Sequence, residues 1–221
     1  IATLLVIFLV KDVPISEERR NRKVELISDL KEALQNKGIL FTMIMFFLIQ
    51  VCVMLLQPLI TMYVGQLMGQ VNDEAVQMAG VIFSLAGISG ILAAPFWGKR
   101  GQRYGYVKTF CYITFGAGVV NLLQFFTTDV YQFAVVQFIY GLFLAGAIPN
   151  INANLAEVTD KSIRGKAFGL VTSAQMSGGF VGPLLGGALG YFLPTKLVII
   201  STGIILISVA GYTYLKKIKE L

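Results

Sequence analysis

Apolar and polar residues are segregated along the chain in long blocks. Six apolar blocks, at about 39–63, 76–97, 106–126, 130–153, 166–191 and 196–215, are each long enough for a helix to cross the roughly 30 Å hydrocarbon layer of a bilayer. Backbone groups left unpaired in lipid are prohibitively costly, so each block is predicted to be a helix. The period-two alternation of outer-membrane strands is missing, which argues against a barrel. Residues 1–10 are a shorter apolar run that stops at Lys11. Without leading basic residues or a small-residue cleavage site, it reads as the end of a truncated transmembrane helix rather than a signal peptide. Residues 11–38 are the one long polar stretch. Pro14 and Ser16 give a helix start and Gly38 a stop, while Val24, Ile27, Leu30 and Leu34 recur at helical spacing. A cytoplasmic linker carrying an amphipathic helix is expected there, floating, lying on headgroups or docked on other helices.

Charge placement then orients the blocks. Seventeen of the eighteen Lys and Arg residues lie before the first block, around the second-to-third connection as far as Lys108, around the fourth-to-fifth connection as far as Lys166, or after the sixth; Lys196 is the exception. Basic residues accumulate on the cytoplasmic side of membrane proteins, so the linker, the alternate loops and the tail at 216–221 are expected to be cytoplasmic, in a multi-pass protein of the cell membrane. Composition agrees: 56% of the 221 residues are hydrophobic, 14% are charged and the net charge is +6. With no histidine and only Cys52 and Cys111, both inside apolar blocks, there is no ligand set for a metal and no disulfide framework. No acid pair lies at membrane depth either, so no enzyme, cofactor or nucleic-acid partner is expected.

Polar residues inside the blocks are the candidate chemistry. An amide in hydrocarbon requires a partner or water, so Gln50, Gln57, Asn121, Gln124, Gln137, Asn150 and Gln175 should face the bundle interior or a cavity. Met54, Tyr140 and Met176, with Met43, Phe83, Phe138 and Phe180 at similar depths, would add a soft aromatic wall. The expected substrate cavity is therefore Gln50, Met54, Gln57, Gln137, Tyr140, Gln175 and Met176. No Asp, Glu, Lys or Arg stands in the middle of any block, so no intramembrane proton carrier is evident here.

The fifth block contains SGGFVGPLLGGALGYF. Gly178, Gly182, Gly186 and Gly190 are four apart and drift only about 40° per step around a helix, so one face is nearly bare backbone. Pro183 stands four residues after Gly179, where a bend is tolerable. Static close packing and a sliding contact are both compatible with this face. Small residues also recur along the second block, at Ala79, Gly80, Ala86, Gly87, Gly90 and Ala94.

Together, a truncated helix, a charged linker, six spans and a basic tail resemble the C-terminal half of a major facilitator superfamily transporter. The stretch GKRGQRYGYVK at 98–108 resembles that family's cytoplasmic loop signature, G-x-x-x-D-R/K-x-G-R/K, through Gly98, Arg103, Gly105 and Lys108. Lys108 stands two residues late and Gln102 replaces the usual acid; simple positive-inside charge explains the basic residues equally well. Gly178, Gly182, Pro183, Gly186 and Gly187 resemble the antiporter motif G-x-x-x-G-P-x-x-G-G of the drug:proton branch. The resemblance implies an all-α polytopic fold and proton-coupled efflux of amphipathic or lipophilic molecules by rocking of two halves. The N-terminal half would be absent from this chain, and both small-residue stripes would face it. A facilitator or symporter of a defined solute, and a non-transporting sensor of the same fold, are the alternatives.

Overall fold

The computed structural model describes residues 35–70 and 72–219, so the expected truncated helix and most of the linker, through residue 34, lie outside the described residues. The architecture is all-α, with no strand among the described residues. Helix α1 spans Lys37–Met68, α2 Asp73–Tyr104, α3 Tyr106–Leu123, α4 Val130–Leu144, α5 Ala147–Val158, α6 Arg164–Phe192 and α7 Thr195–Lys219, with a 3-10 turn at Gln124–Phe126. Among the described residues, five stretches are long and apolar enough to cross a membrane: Lys37–Met68, Asp73–Tyr104, Tyr106–Phe126, Val130–Val158 and Thr195–Lys216. The glycine-rich α6, expected as a sixth span, is 29 residues long but is not among them. Its glycines, with Thr172, Ser173, Gln175 and Ser177, dilute its hydropathy.

Local chemistry sets the ends. Asn36 caps α1, its side chain accepting from the N–H of Gly38 at 2.9 Å and of Ile39 at 3.2 Å. Gly38, expected to stop the linker helix, is thus in the first turn of α1: a glycine two residues after a good capping residue is compatible with a start as well as a stop. Gly69 ends α1 at φ +74°, and paired bonds from Gly69 N–H to Gln66 O and Gln70 N–H to Gly65 O satisfy the orphan carbonyls. Asn72 and Asp129 cap α2 and α4 in the same way as Asn36.

The fourth apolar block is not one helix, as expected, but two. The proline at 149 has no N–H to give the carbonyl of Ala145, and the N–H of Gly146 turns to Phe143 O at 3.2 Å, which strips Leu142 O of its helical donor. Trp97 replaces that donor, its indole N–H reaching Leu142 O at 2.7 Å. Asn150 Nδ2 donates to Gly146 O at 2.8 Å and Trp97 O at 3.3 Å, so the break between α4 and α5 is tied to α2. Trp97→Phe keeps an aromatic ring beside Phe143 and removes the donor. It is expected to lower stability by about 1 kcal/mol, the low end of the cost of leaving a partly buried carbonyl unpaired, read as a fall in thermal unfolding midpoint.

Helices α3 and α7 pack closely. A Cβ on Gly118 would lie 2.9 Å from Gly203 O, and Asn121 Nδ2 donates to Thr202 Oγ1 at 2.7 Å. Lys37, Val107, Asn154, Val158 and Lys216 border one pocket, which brings the starts of α1 and α3 and the ends of α5 and α7 to the same end of the bundle. Lys196 stands at the other end, where its Nζ donates to Thr127 O at 3.2 Å.

Candidate functional site

A cavity of about 520 Å³ opens between α1, α2, α4, α5 and α6. That volume suits a drug-sized molecule. Helix α1 contributes Gln50, Met54 and Gln57, spaced four and three apart so that they share one face. Helix α4 contributes Gln137 and Tyr140, also three apart, and α6 contributes Gln175; Phe83, Ala86 and Gly90 of α2 close the apolar side. Six of the seven expected cavity residues thus border one space. Met176 does not; it is 62% exposed on the far side of Gln175. Depth along a helix was readable for Met176, but rotation about the axis differs by about 100° per residue and sent it outward.

The amides are partly locked. Gln175 Nε2 donates to Gln50 Oε1 at 3.4 Å across α6 and α1, and Gln124 Nε2 donates to Gln137 Oε1 at 2.8 Å. Gln124 is buried behind the cavity wall and positions Gln137, a role invisible in sequence because residue 124 sits on a 3-10 turn outside helical spacing. Asn121 and Asn150 face the interior and tie helices together rather than bordering the cavity. Tyr140 lines the wall, yet its hydroxyl is buried without a hydrogen-bond partner among the described residues, in a cluster with Cys52, Ala117, Val120 and Leu206. Among the described residues no Asp, Glu, Lys or Arg borders the space, so the cavity offers amide dipoles, sulfur and aromatic faces to a ligand. Glu157 is exposed near the end of α5.

The glycine face is used inside this chain, which corrects the expectation that it faces an absent half. A Cβ on Gly178 would lie 2.7 Å from Phe47 O, one on Gly182 2.7 Å from Met54 Cβ, and one on Gly186 would collide with Leu55 O. Gly190 meets the side chain of Leu59. Bare backbone therefore lets α6 press onto α1 directly beside Gln50 and Met54. Gly187 has nothing within 4 Å of a built Cβ, nor do Gly80 and Gly87 of α2, so the stripes split between buried and open faces. Spacing reveals that a face is bare; it does not reveal which neighbour fills it.

The expected cytoplasmic loop at 98–108 shrinks to one residue. Gly98 and Arg103 lie within α2, Lys108 within α3, and only Gly105 is non-helical, at φ +92° with its N–H bonded to Gly101 O at 2.9 Å. A side chain would be strained at that φ, so the glycine is required by the turn. Arg103 lies over the Tyr104 ring at 5.4 Å.

The chain matches the model of the Major Facilitator Superfamily over residues 46–219. The chain belongs to the major facilitator superfamily. As an MFS transporter chain it is 30% identical over 190 residues to the uncharacterized MFS-type transporter YuxJ of Bacillus subtilis (strain 168), covering 84% of this chain and 47% of that protein. It is 33% identical over 136 residues to the multidrug resistance protein MdtG of Yersinia enterocolitica, and 32% identical over 136 residues to MdtG of Escherichia coli. Those two alignments cover 61% of this chain and 32% and 33% of the relatives, so the MFS chain spans under half the length of each of these proteins.

Proposed function

We propose that this chain is the C-terminal half of a secondary transporter that exports amphipathic or lipophilic small molecules in exchange for protons, by rocking against a second half. The observation that carries the reading is the cavity itself: drug-sized, lined by four glutamines, Met54 and Phe83, and bordered by no charged side chain. A site without fixed charge gives little to a sugar phosphate or an organic anion and much to a lipophilic molecule. Similarity to MdtG proteins, whose name is multidrug resistance protein, supports the same direction. On this reading α6 crosses the membrane with the other five spans, the basic end of the bundle faces the cytoplasm of the cell, and the carboxylate that carries protons belongs to the other half.

Dye efflux tests it. Full-length protein in vesicles with an imposed pH gradient should move a lipophilic dye outward only while the gradient lasts. No gradient-dependent movement of any lipophilic compound, with efficient uptake of one polar solute instead, would replace drug antiport by a dedicated solute carrier.

A further inference from the structure

A second cavity, of about 430 Å³, lies away from the first at the basic end of the bundle, between the end of α2 and the start of α3. Trp97, Arg100 and Tyr104, three and four residues apart, form one wall; Lys108, Thr109 and Tyr112 form the other. Residues 75–98 carry no charge, about 36 Å of helix, so Arg100 stands where a spanning helix leaves the hydrocarbon and enters the headgroup layer. Trp97, Tyr104 and Tyr112 are the amphipathic rings expected at that depth.

Neither cation has an acidic partner among the described residues. Arg100 lies over the rings of Phe96 and Tyr104, at 5.5 and 5.4 Å, and its N–H groups make no hydrogen bond among the described residues. Thr109 adds an anomaly. Thr42, Ser84, Thr114, Ser173, Ser208 and Thr213 each donate their hydroxyl to the carbonyl four residues back. Thr109 does not, although Gly105 O stands four back; its buried hydroxyl has no partner among the described residues. Two cations without an acidic partner among the described residues and an aromatic rim meet in one groove at headgroup depth, with the unpartnered Thr109 hydroxyl buried in its wall.

We propose that this groove binds the phosphate of an anionic phospholipid, with Arg100 and Lys108 as its charge partners and Tyr112 against the acyl chain. Basic pockets between helices on the cytoplasmic side are suited to such headgroups. The inference rests on the membrane-spanning reading above, but it is read from lipid retention and not from transport, so loss of either can be told from loss of the other.

Native mass spectrometry of the full-length protein, released from membranes of mixed phosphatidylglycerol and phosphatidylcholine, should show phosphatidylglycerol retained over phosphatidylcholine. The double variant R100Q/K108Q should retain it about tenfold less, two lost charges being decisive at a membrane surface. Lys99→Gln, one residue from Arg100 but outside the groove, should behave as wild type, and R100K/K108R should retain the lipid even if the double glutamine variant folds poorly. Equal retention of both lipids would overturn the proposal. So would no retention, as expected if the rest of the full-length protein covers the groove, or displacement by millimolar inorganic phosphate, which would assign the site to a free anion.

Discussion

Gly186→Ala is expected to be among the most damaging single methyl additions in the bundle. The new carbon would run into the carbonyl of Leu55, backbone that cannot rotate away as a side-chain tip can. Relief requires α6 to back off α1 along a face that also includes Gly178, Gly182 and Gly190. Overpacking costs about 1–3 kcal/mol, and a clash with rigid backbone puts this variant at the upper end, a large share of the margin of a folded domain. Thermal unfolding of detergent-solubilised protein should show a fall of several degrees, about the shift that a loss of this size produces. Gly187→Ala, one residue on, meets open space and should leave the midpoint unchanged. Equal midpoints for both variants would mean that the two helices do not approach as closely as described here. Any loss of efflux in Gly187→Leu without loss of stability would then arise from a surface outside this bundle.

Gly90→Trp is expected to separate cavity from fold. Gly90 borders the large cavity, and a Cβ there meets only Ala145 Cβ at 3.9 Å, ordinary contact distance. The indole would enter the space that Gln50, Gln137 and Phe83 surround. A ligand losing even one good contact, about 1.4 kcal/mol, binds tenfold more weakly, and an occluded cavity loses more than one. Efflux should fall at least about tenfold while the unfolding midpoint stays near wild type. Unimpaired efflux would place the transported molecule elsewhere.

How far the sequence foretells these features depends on what kind of information each one needs. Hydropathy along the chain is one-dimensional: it delimits six apolar blocks, the fourth of which the structure divides at Ala145 and Gly146, and it leaves the polar last turns of α2, to Tyr104, outside the second. The signal for that break was present in the proline at 149, four residues beyond Ala145, but an apolar block of 24 residues outweighed it. Helical spacing adds rotation: Gln50, Met54 and Gln57, chosen for their depth alone, share one face because they stand four and three apart. It could not carry Met176 inward, because the facing direction of α6 is set by Gly178 and Gly182 docking on α1. Partners require three dimensions: that Gln124 holds Gln137, or that Trp97 serves Leu142, depends on which helices become neighbours.

The cavity wall has a consequence for how such a protein can change. Helices α1, α2, α4, α5 and α6 all contribute to it, whereas α3 and α7, locked together through Gly118, Gly203 and the Asn121–Thr202 bond, contribute no residue. Those two helices form a buttress behind the site. Selection for a new cargo can therefore act on five helices while the buttress keeps the bundle assembled, and substitutions in the buttress register as stability without retuning what is carried.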